Sequence, residues 1–424
     1  MLLLLARGVR LAAGVWWQQR LPPGERFGFP DSESYWQLAE ALSQGEPYAM
    51  DPDRRVFRMP GYPLLLAPLF SMADGPPPVM WARVLNALLG TAAVAGIAVL
   101  AGLLFDRRAA VIGAAVATVY PGGVAMSVFV LSEAPFAPLM MLQMILCVLA
   151  WQRGAAGCQA WLALAAGLAG GAATLARASW LLFTPFAVGV GLLLVNRAGR
   201  RRAVWVAVWI LVGLTAAMTP WWVRNWRVTG RFVPTTLQVG ESLYDGWNPR
   251  ARGGSDMRFV DDFRRQLRAE DAARPPGDGS RSFEQRLDAR MRDAALQWAR
   301  ENPGCALRLA GIKFRRMWSF WPNEPAFSHW RFGSVLLVGY APLLVVGLYG
   351  AWRYSRRGWP YVLCWLPAVY FTALHMVFVG SIRYRQPAML ALIVLAAGAA
   401  SVWWGAWRGD AGDSTTGAAG GNGR

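Results

Sequence analysis

Residues 79–105 read VMWARVLNALLGTAAVAGIAVLAGLLF, a run whose only charge is Arg83. A helix needs roughly 20 apolar residues to cross the hydrocarbon core of a bilayer, so this run by itself predicts a membrane span. Comparable runs recur at about 2–17, 109–121, 133–151, 159–176, 178–195, 203–222, 332–352, 359–380 and 387–407. The first is short and carries Arg7 and Arg10, which suits a truncated span better than a signal peptide, because no A-x-A-like cleavage site follows. The third stops at Tyr120-Pro121-Gly122-Gly123, and only Arg177 separates the fifth from the sixth, predicting a tight hairpin.

Composition agrees with the runs. Of 424 residues, 55% are hydrophobic and 16% charged, against about 25% charged in a soluble domain. A net charge of +18 would suggest a nucleic-acid partner in a soluble chain. Here the basic residues sit in short loops beside apolar runs, as the positive-inside bias explains, and a nucleic-acid binder is excluded. The expected fold class is an all-α polytopic membrane protein with a bundle of about ten transmembrane helices. Cys147, Cys158, Cys305 and Cys364 form no CxxC pattern, and His329 and His375 are too far apart for HExxH-type zinc chemistry.

Arg107, Arg108, Arg153, Arg197, Arg200–Arg202, Arg353, Arg356, Arg357 and Arg408 fall on one side of the predicted spans. That side is expected to be cytoplasmic, with both termini inside. Trp16, Trp17, Trp81, Trp221, Trp222, Trp403, Trp404 and Trp407 lie near span ends, as an aromatic belt does. The expected organisation is an N-terminal transmembrane bundle over 1–222, including a first outer loop at 18–78. An outer segment with interfacial helices follows at 223–331, then C-terminal transmembrane helices at 332–407 and a disordered cytoplasmic tail at 408–424. Within the outer segment, Ser282 and Gln285 make a capping-box pattern. Residues 250–280 read as a mobile loop that includes Asp261 and Asp262. A helix after Pro303, carrying Arg308, Lys313, Arg315 and Arg316 among apolar residues, is expected to lie on lipid headgroups.

The chemistry collects on the outer side. An enzyme facing away from the cytoplasm has no nucleotide pool to draw on, so an activated substrate must come through the membrane. A sugar on a polyprenyl phosphate meets that need. Inverting transfer then requires a carboxylate for the acceptor hydroxyl and cations for the departing phosphate. The carboxylates available are Asp31 and Glu33, two residues apart, and Glu133 at the outer end of the fourth span. The cations are Arg58, Arg177, Arg224, Arg383 and Arg385. Arg383 and Arg385 stand in a very short outer loop against the charge bias, and Arg is well shaped to grip a phosphate. Asp31 has a second reading as N-cap of the helix that follows it, with Glu33 in the first turn. A carboxylate at a span end, like Glu133, is costly and often functional. Asp51-Pro52-Asp53 is a weak DxD match, His375 reads as a packing residue, and Arg83 is expected to snorkel.

These residues resemble a family. Asp31-Ser32-Glu33-Ser34-Tyr35-Trp36 is similar to the first outer loop of GT-C glycosyltransferases, in the family-39-like group of protein O-mannosyltransferases and lipid A aminoarabinose transferases. Arg58-Met59-Pro60-Gly61-Tyr62-Pro63, Leu131-Ser132-Glu133-Ala134-Pro135, Thr219-Pro220-Trp221-Trp222-Val223-Arg224-Asn225 and Arg383-Tyr384-Arg385-Gln386-Pro387 resemble later motifs of that group, in order, over about residues 25–400. The resemblance implies that Asp31 is the catalytic-loop acid, as base or acceptor positioner, with Glu33 completing a modified DxD and Glu133 as a second acidic site. It implies phosphate binding by Arg58, Arg224, Arg383 and Arg385, with Tyr35, Tyr62 and Tyr384 lining the donor/acceptor pocket. A divalent cation, Mg or Mn, is a possible cofactor. Two departures are visible: Arg177-Ala178 replaces the usual R-P, and the outer segment is short, so no acceptor can be carried over. The expected function is transfer of a sugar from polyprenyl phosphate to a glycolipid, envelope polysaccharide or protein at the outer face of the inner membrane. The rival is a transporter or flippase of lipid-linked sugars. Transporters favour polar residues near the bilayer midplane and inverted repeats.

Overall fold

The computed structural model describes residues 1–152, 156–273, 281–323 and 329–407. The expected tail, Arg153 and Arg408 lie outside them. Among the described residues every named element is helical, and the one β-type pairing is an isolated bridge between Asp51 and Arg54.

Among the described residues seven helices are long and apolar enough to cross a membrane. They are α4 (Val79–Leu104), α7 (Glu133–Gln152), α8 (Ala156–Ala176), α10 (Arg200–Thr229), α15 (Trp330–Tyr354), α16 (Trp359–Leu363) continuing as α17 (Leu366–Val377), and α18 (Gln386–Trp407). An eighth is a bent pair, α5 (Arg107–Val119) and α6 (Pro121–Val128), broken by 57°. The two remaining candidates are α1 (Leu2–Arg20) and the short α9 (Phe183–Leu194), so the expected ten are all helices. The chain is a multi-pass membrane protein.

The break between α5 and α6 has a local cause. Pro121 brings no N–H, so carbonyls in the turn before it lose their helical donors. Arg10 of α1 replaces them, donating to Ala117 O at 3.0 Å and Thr118 O at 3.3 Å while its Nε donates to Ser127 Oγ. Arg10 is 2% exposed. The charge that made the first run look poor is therefore the one that docks it. Arg83 departs from expectation too. It does not snorkel: it is buried and donates to Gln18 Oε1, Val128 O and Arg26 O, tying α1, α4 and α6 together.

α18 is the axis of the bundle, with every residue from Gln386 to Ala399 buried, against α4, α5, α15 and α17. Small residues bring other helices close, as is usual in membranes. A Cβ on Gly167 of α8 would lie 2.0 Å from Ile210 O, and one on Gly213 of α10 2.2 Å from Leu164 O.

One end of this bundle carries the remaining helices. These are α2 (Pro30–Ser43), α3 (Gly61–Ser71), α11 (Val239–Gly246), α12 (Phe259–Ala272), α13 (Phe283–Glu301) and α14 (Pro303–Met317). The capping box at Ser282 and Gln285 forms as expected. Two readings are corrected. Residues 259–272 are a helix, because Val260, Phe263 and Leu267 make an apolar stripe that packs under α13 with Leu287 and Met291. α14 keeps Arg308 and Arg315 exposed, but Lys313 turns inward, fully buried, and donates to Val377 O at 2.6 Å.

Candidate active site

α2 starts at Pro30 with Phe29 as its N-cap and no side-chain cap. Asp31 is thus free of the capping role, and its carboxylate turns to cations from two distant segments. Oδ1 accepts from Arg58 at 2.8 Å and Oδ2 from Arg383 at 3.3 Å. Glu33, two residues on, points elsewhere, since residues in a helix turn about 100° each. It pairs with Arg26 at 3.0 Å and Gln37 at 3.2 Å, so the two carboxylates do not converge as a DxD pair.

Glu133, 1% exposed, opens α7, where the helix N-terminus favours a negative charge. It accepts from Arg177 at 2.8 Å and from Arg383 Nε. Arg383 therefore bridges both acids. Arg177 gains its place from the chain break between α8 and α9, and its Nε donates to Ser179 Oγ at 3.2 Å. Arg58 is steadied by Ser34 Oγ at 2.9 Å and Gln238 Oε1 at 3.1 Å, and lies over the Tyr35 ring. Gly61 explains why the stretch after Arg58 needs glycine: a Cβ there would sit 2.6 Å from the backbone of Leu175, directly before Arg177. Tyr384 stacks on His375 with ring centroids 4.0 Å apart, while Arg177 and Arg383 lie over it.

The cluster opens onto a cavity of about 690 Å³. Asp31, Glu33, Tyr35, Arg58, Arg177, Arg383 and Tyr384 line one side. Thr236, Gln238, Glu241 and Asp245 of segment 223–331 line the other. Burial would raise the Asp31 carboxyl, but Arg58 and Arg383 outweigh it and hold it down at about 2. Within the cluster three guanidinium groups thus face two carboxylates, an excess of one positive charge, while elsewhere the cavity wall carries Glu33, Glu241, Asp245 and Asp261 with Arg54 and Arg264.

Glu133 lies behind the arginines rather than on the cavity wall, and three further expected site residues stand apart from both cluster and cavity. Arg385 is 1% exposed, lies 3.5 Å over the Tyr340 ring and donates to the carbonyls of Met317 and Ser319. Arg224 donates to Tyr48 O at 2.6 Å and lies over Trp221, supporting the chain ahead of Arg58. Tyr62 is fully buried, its hydroxyl 3.0 Å from Asn86 Oδ1. Conversely, Arg177 and the wall from segment 223–331 belong to the cavity, and no local pattern in that segment marks it.

The donor set does not suit a divalent cation. Among the described residues no three His, Cys, Asp or Glu side chains converge. Asp31 and Glu133 are each engaged by arginines, and Asp51 and Asp53 face Arg264 and Arg268.

With this geometry in place, comparison shows what the fold is like. It is similar to that of an archaeal oligosaccharyltransferase, in keeping with the GT-C resemblance of the ordered sequence motifs. Residues 63–223 match the model of the dolichyl-phosphate-mannose-protein mannosyltransferase family. The oligosaccharyltransferase of Archaeoglobus fulgidus in its apo form superposes with a TM-score of 0.60 at 17% identity, over 97% of this chain and 52% of that one. The same archaeal enzyme, AglB, in complex with an inhibitory peptide and a dolichol-phosphate, gives 0.59 at 16% identity, over 100% of this chain and 52% of that one. This chain therefore spans about half the length of the oligosaccharyltransferase. ArnT from Cupriavidus metallidurans bound to undecaprenyl phosphate gives 0.43 at 17% identity, over 92% of this chain and 77% of that one. No curated protein sequence matches the chain.

Proposed function

We propose that the protein is a glycosyltransferase that moves a sugar from a polyprenyl-phosphate donor to an acceptor hydroxyl, with inversion, at the outer face of the cytoplasmic membrane. The observation that carries this reading is the cluster of Asp31, Arg58, Arg383, Glu133 and Arg177, with its excess positive charge, opening onto a cavity. Its members lie at helix ends: Glu133 opens α7, Arg177 follows α8 and Arg383 precedes α18. A charged cluster there, away from the midplane, favours an enzyme over a transporter. A lipid-linked substrate would reach it from the bilayer, and a dolichol-phosphate in the archaeal fold neighbour is consistent with that.

In this reading Arg383 and Arg58 take the donor phosphate and stabilise its charge as the glycosidic bond breaks. Asp31 holds the acceptor hydroxyl toward the anomeric carbon. With a carboxyl at about 2 it is a feeble base while both arginines hold it. A bound phosphate would draw on the same guanidinium groups and relax that restraint, so donor binding would raise the basicity of Asp31 in time for proton uptake. Glu133, between Arg177 and Arg383, keeps Arg383 aimed. In this reading guanidinium groups stabilise the leaving phosphate, since among the described residues the acids Asp31 and Glu133 are already engaged by arginines. The test is transfer from a short-chain polyprenyl-phosphate sugar by purified protein to envelope glycolipid, polysaccharide or protein acceptors. Transfer to at least one by the wild type, lost in Asp31→Asn, supports the reading. Transport of the lipid-linked sugar across vesicles with no transfer would overturn it.

A further inference from the structure

Arg58 sits on a loop whose Val56 and Met59 pack against Leu214, Met218 and Trp221 of α10. Segment 223–331 holds that loop through carboxyl groups. Glu284, in the first turn of α13 and 5% exposed, accepts the backbone N–H of Arg55 on Oε2 at 2.8 Å and that of Val56 on both oxygens, Oε2 at 3.0 Å and Oε1 at 3.1 Å. Glu241 pairs with Arg54 at 2.9 Å, Asp288 accepts Gly240 N–H at 2.6 Å, and Leu237 N–H donates to Val56 O at 2.8 Å. The dock is fastened to the bundle through Gln285, whose side chain donates to Thr229 O at the end of α10.

We propose that Glu284 is a positioning residue for Arg58: its buried carboxyl docks segment 223–331 onto the loop at 54–58, and loss of its proton loosens the dock and with it the grip on the donor phosphate. This rests on the reading of Arg58 as a phosphate ligand. Oε2 by itself reaches both N–H groups, so the carbonyl oxygen of a neutral carboxyl can hold them, giving up only the longer 3.1 Å contact of Val56 N–H to Oε1; the charge is what the buried setting resists. Burial pushes the Glu284 carboxyl up to about 7, against the two backbone hydrogen bonds and the nearby guanidinium groups of Arg54 and Arg224. Around them stand Glu241 of α11 with Arg264 and Arg58, Asp288 one turn along α13 with Arg292, and Arg55 beside Arg224. The sign follows by linkage. The docked state binds the proton more tightly than a solvated carboxyl does, so docking is firmest in acid and weakens as pH rises toward and through 7.

The experiment measures binding of a short-chain polyprenyl phosphate to purified full-length protein at pH 6 and pH 8.5. The phosphate's own second ionisation is common to all variants, so ratios between variants are read. Glu284→Gln keeps an acceptor oxygen and cannot ionise. Its affinity relative to wild type should rise by at least about threefold between pH 6 and pH 8.5. Glu284→Ala should bind roughly tenfold more weakly at both values. A constant ratio for Glu284→Gln, or wild-type binding by Glu284→Ala, would overturn the proposal. Should the alanine variant not fold, the isosteric glutamine carries the test. Arg58→Gln separates the two readings. If it binds as the wild type does, the phosphate site is wrong and this proposal falls with it; if it binds weakly while the glutamine ratio stays constant, only the role of Glu284 fails.

Discussion

Arg383 and Arg385 are two residues apart and should respond to the same substitution in opposite ways. Arg383 spans two acids, Glu133 through Nε and Asp31 through a terminal nitrogen at 3.3 Å. A lysine ammonium is a single point and cannot bridge both, so Arg383→Lys loses one charge-assisted hydrogen bond within the cluster. Such a bond contributes about 1.5–3 kcal/mol. If the bridge aims the group that stabilises the leaving phosphate, turnover should fall roughly ten- to hundredfold. Arg385 touches none of this; it binds two carbonyls between α14 and α15 and lies over Tyr340. Arg385→Lys should lower thermal stability, since a buried acceptor left unpaired costs about 1–3 kcal/mol, and leave turnover of the folded fraction within about twofold. The assay is sugar transfer per folded molecule, paired with thermal unfolding in detergent. Wild-type turnover in Arg383→Lys, together with a wild-type melting temperature and lost turnover in Arg385→Lys, would refute the assignment of the two residues.

Asp31→Asn should lose at least about 100-fold in transfer per folded molecule, with a lower melting temperature because its two ion pairs to Arg58 and Arg383 lose their charge; a wild-type transfer rate per folded molecule would argue against it. The low Asp31 pKa, about 2, sets the pH behaviour. Its ionised form in the free site is complete above the ordinary carboxylate range and is lost only as pH falls toward 2, so the ratio of wild-type to Asp31→Asn kcat/KM, which reports the free enzyme, should be flat from pH 5 to pH 9. Gly61→Ala places a Cβ 2.6 Å from the Leu175 backbone. The displaced α3 should cost about 1–3 kcal/mol and disturb both Arg58 and Arg177, read as lower stability together with weaker donor binding. Millimolar chelator should leave transfer unchanged, since the site offers a divalent cation too few free carboxylates; restoration by added Mg or Mn after chelation would contradict this.

The spans were legible because each is a local run, and the site acids and Arg58 were legible because they sit in short motifs at element boundaries. What local reading could not separate was Arg383 from Arg385. Both stand in one turn, and which of them meets the acids depends on how α14 and α15 pack beneath it, from residues far away in sequence. Arg10 and Arg83 failed for the same reason: a charge in an apolar run looks like a cost until its carbonyl partners, on another helix, are known. The helix at 259–272 is different. Its apolar stripe of Val260, Phe263 and Leu267 was present in the sequence, masked by the glycine- and proline-rich residues on either side.

The broken helix at Pro121 has a consequence for how the chain is made. Arg10 is synthesised 107 residues before Ala117, the carbonyl it will serve. Until then the guanidinium has within reach only Ala6 O of its own helix, and an arginine at the centre of an inserted helix costs about 2.5–3.5 kcal/mol. The docked position of α1 thus depends on α5 and α6, whose carbonyls and Ser127 hydroxyl complete its bonds.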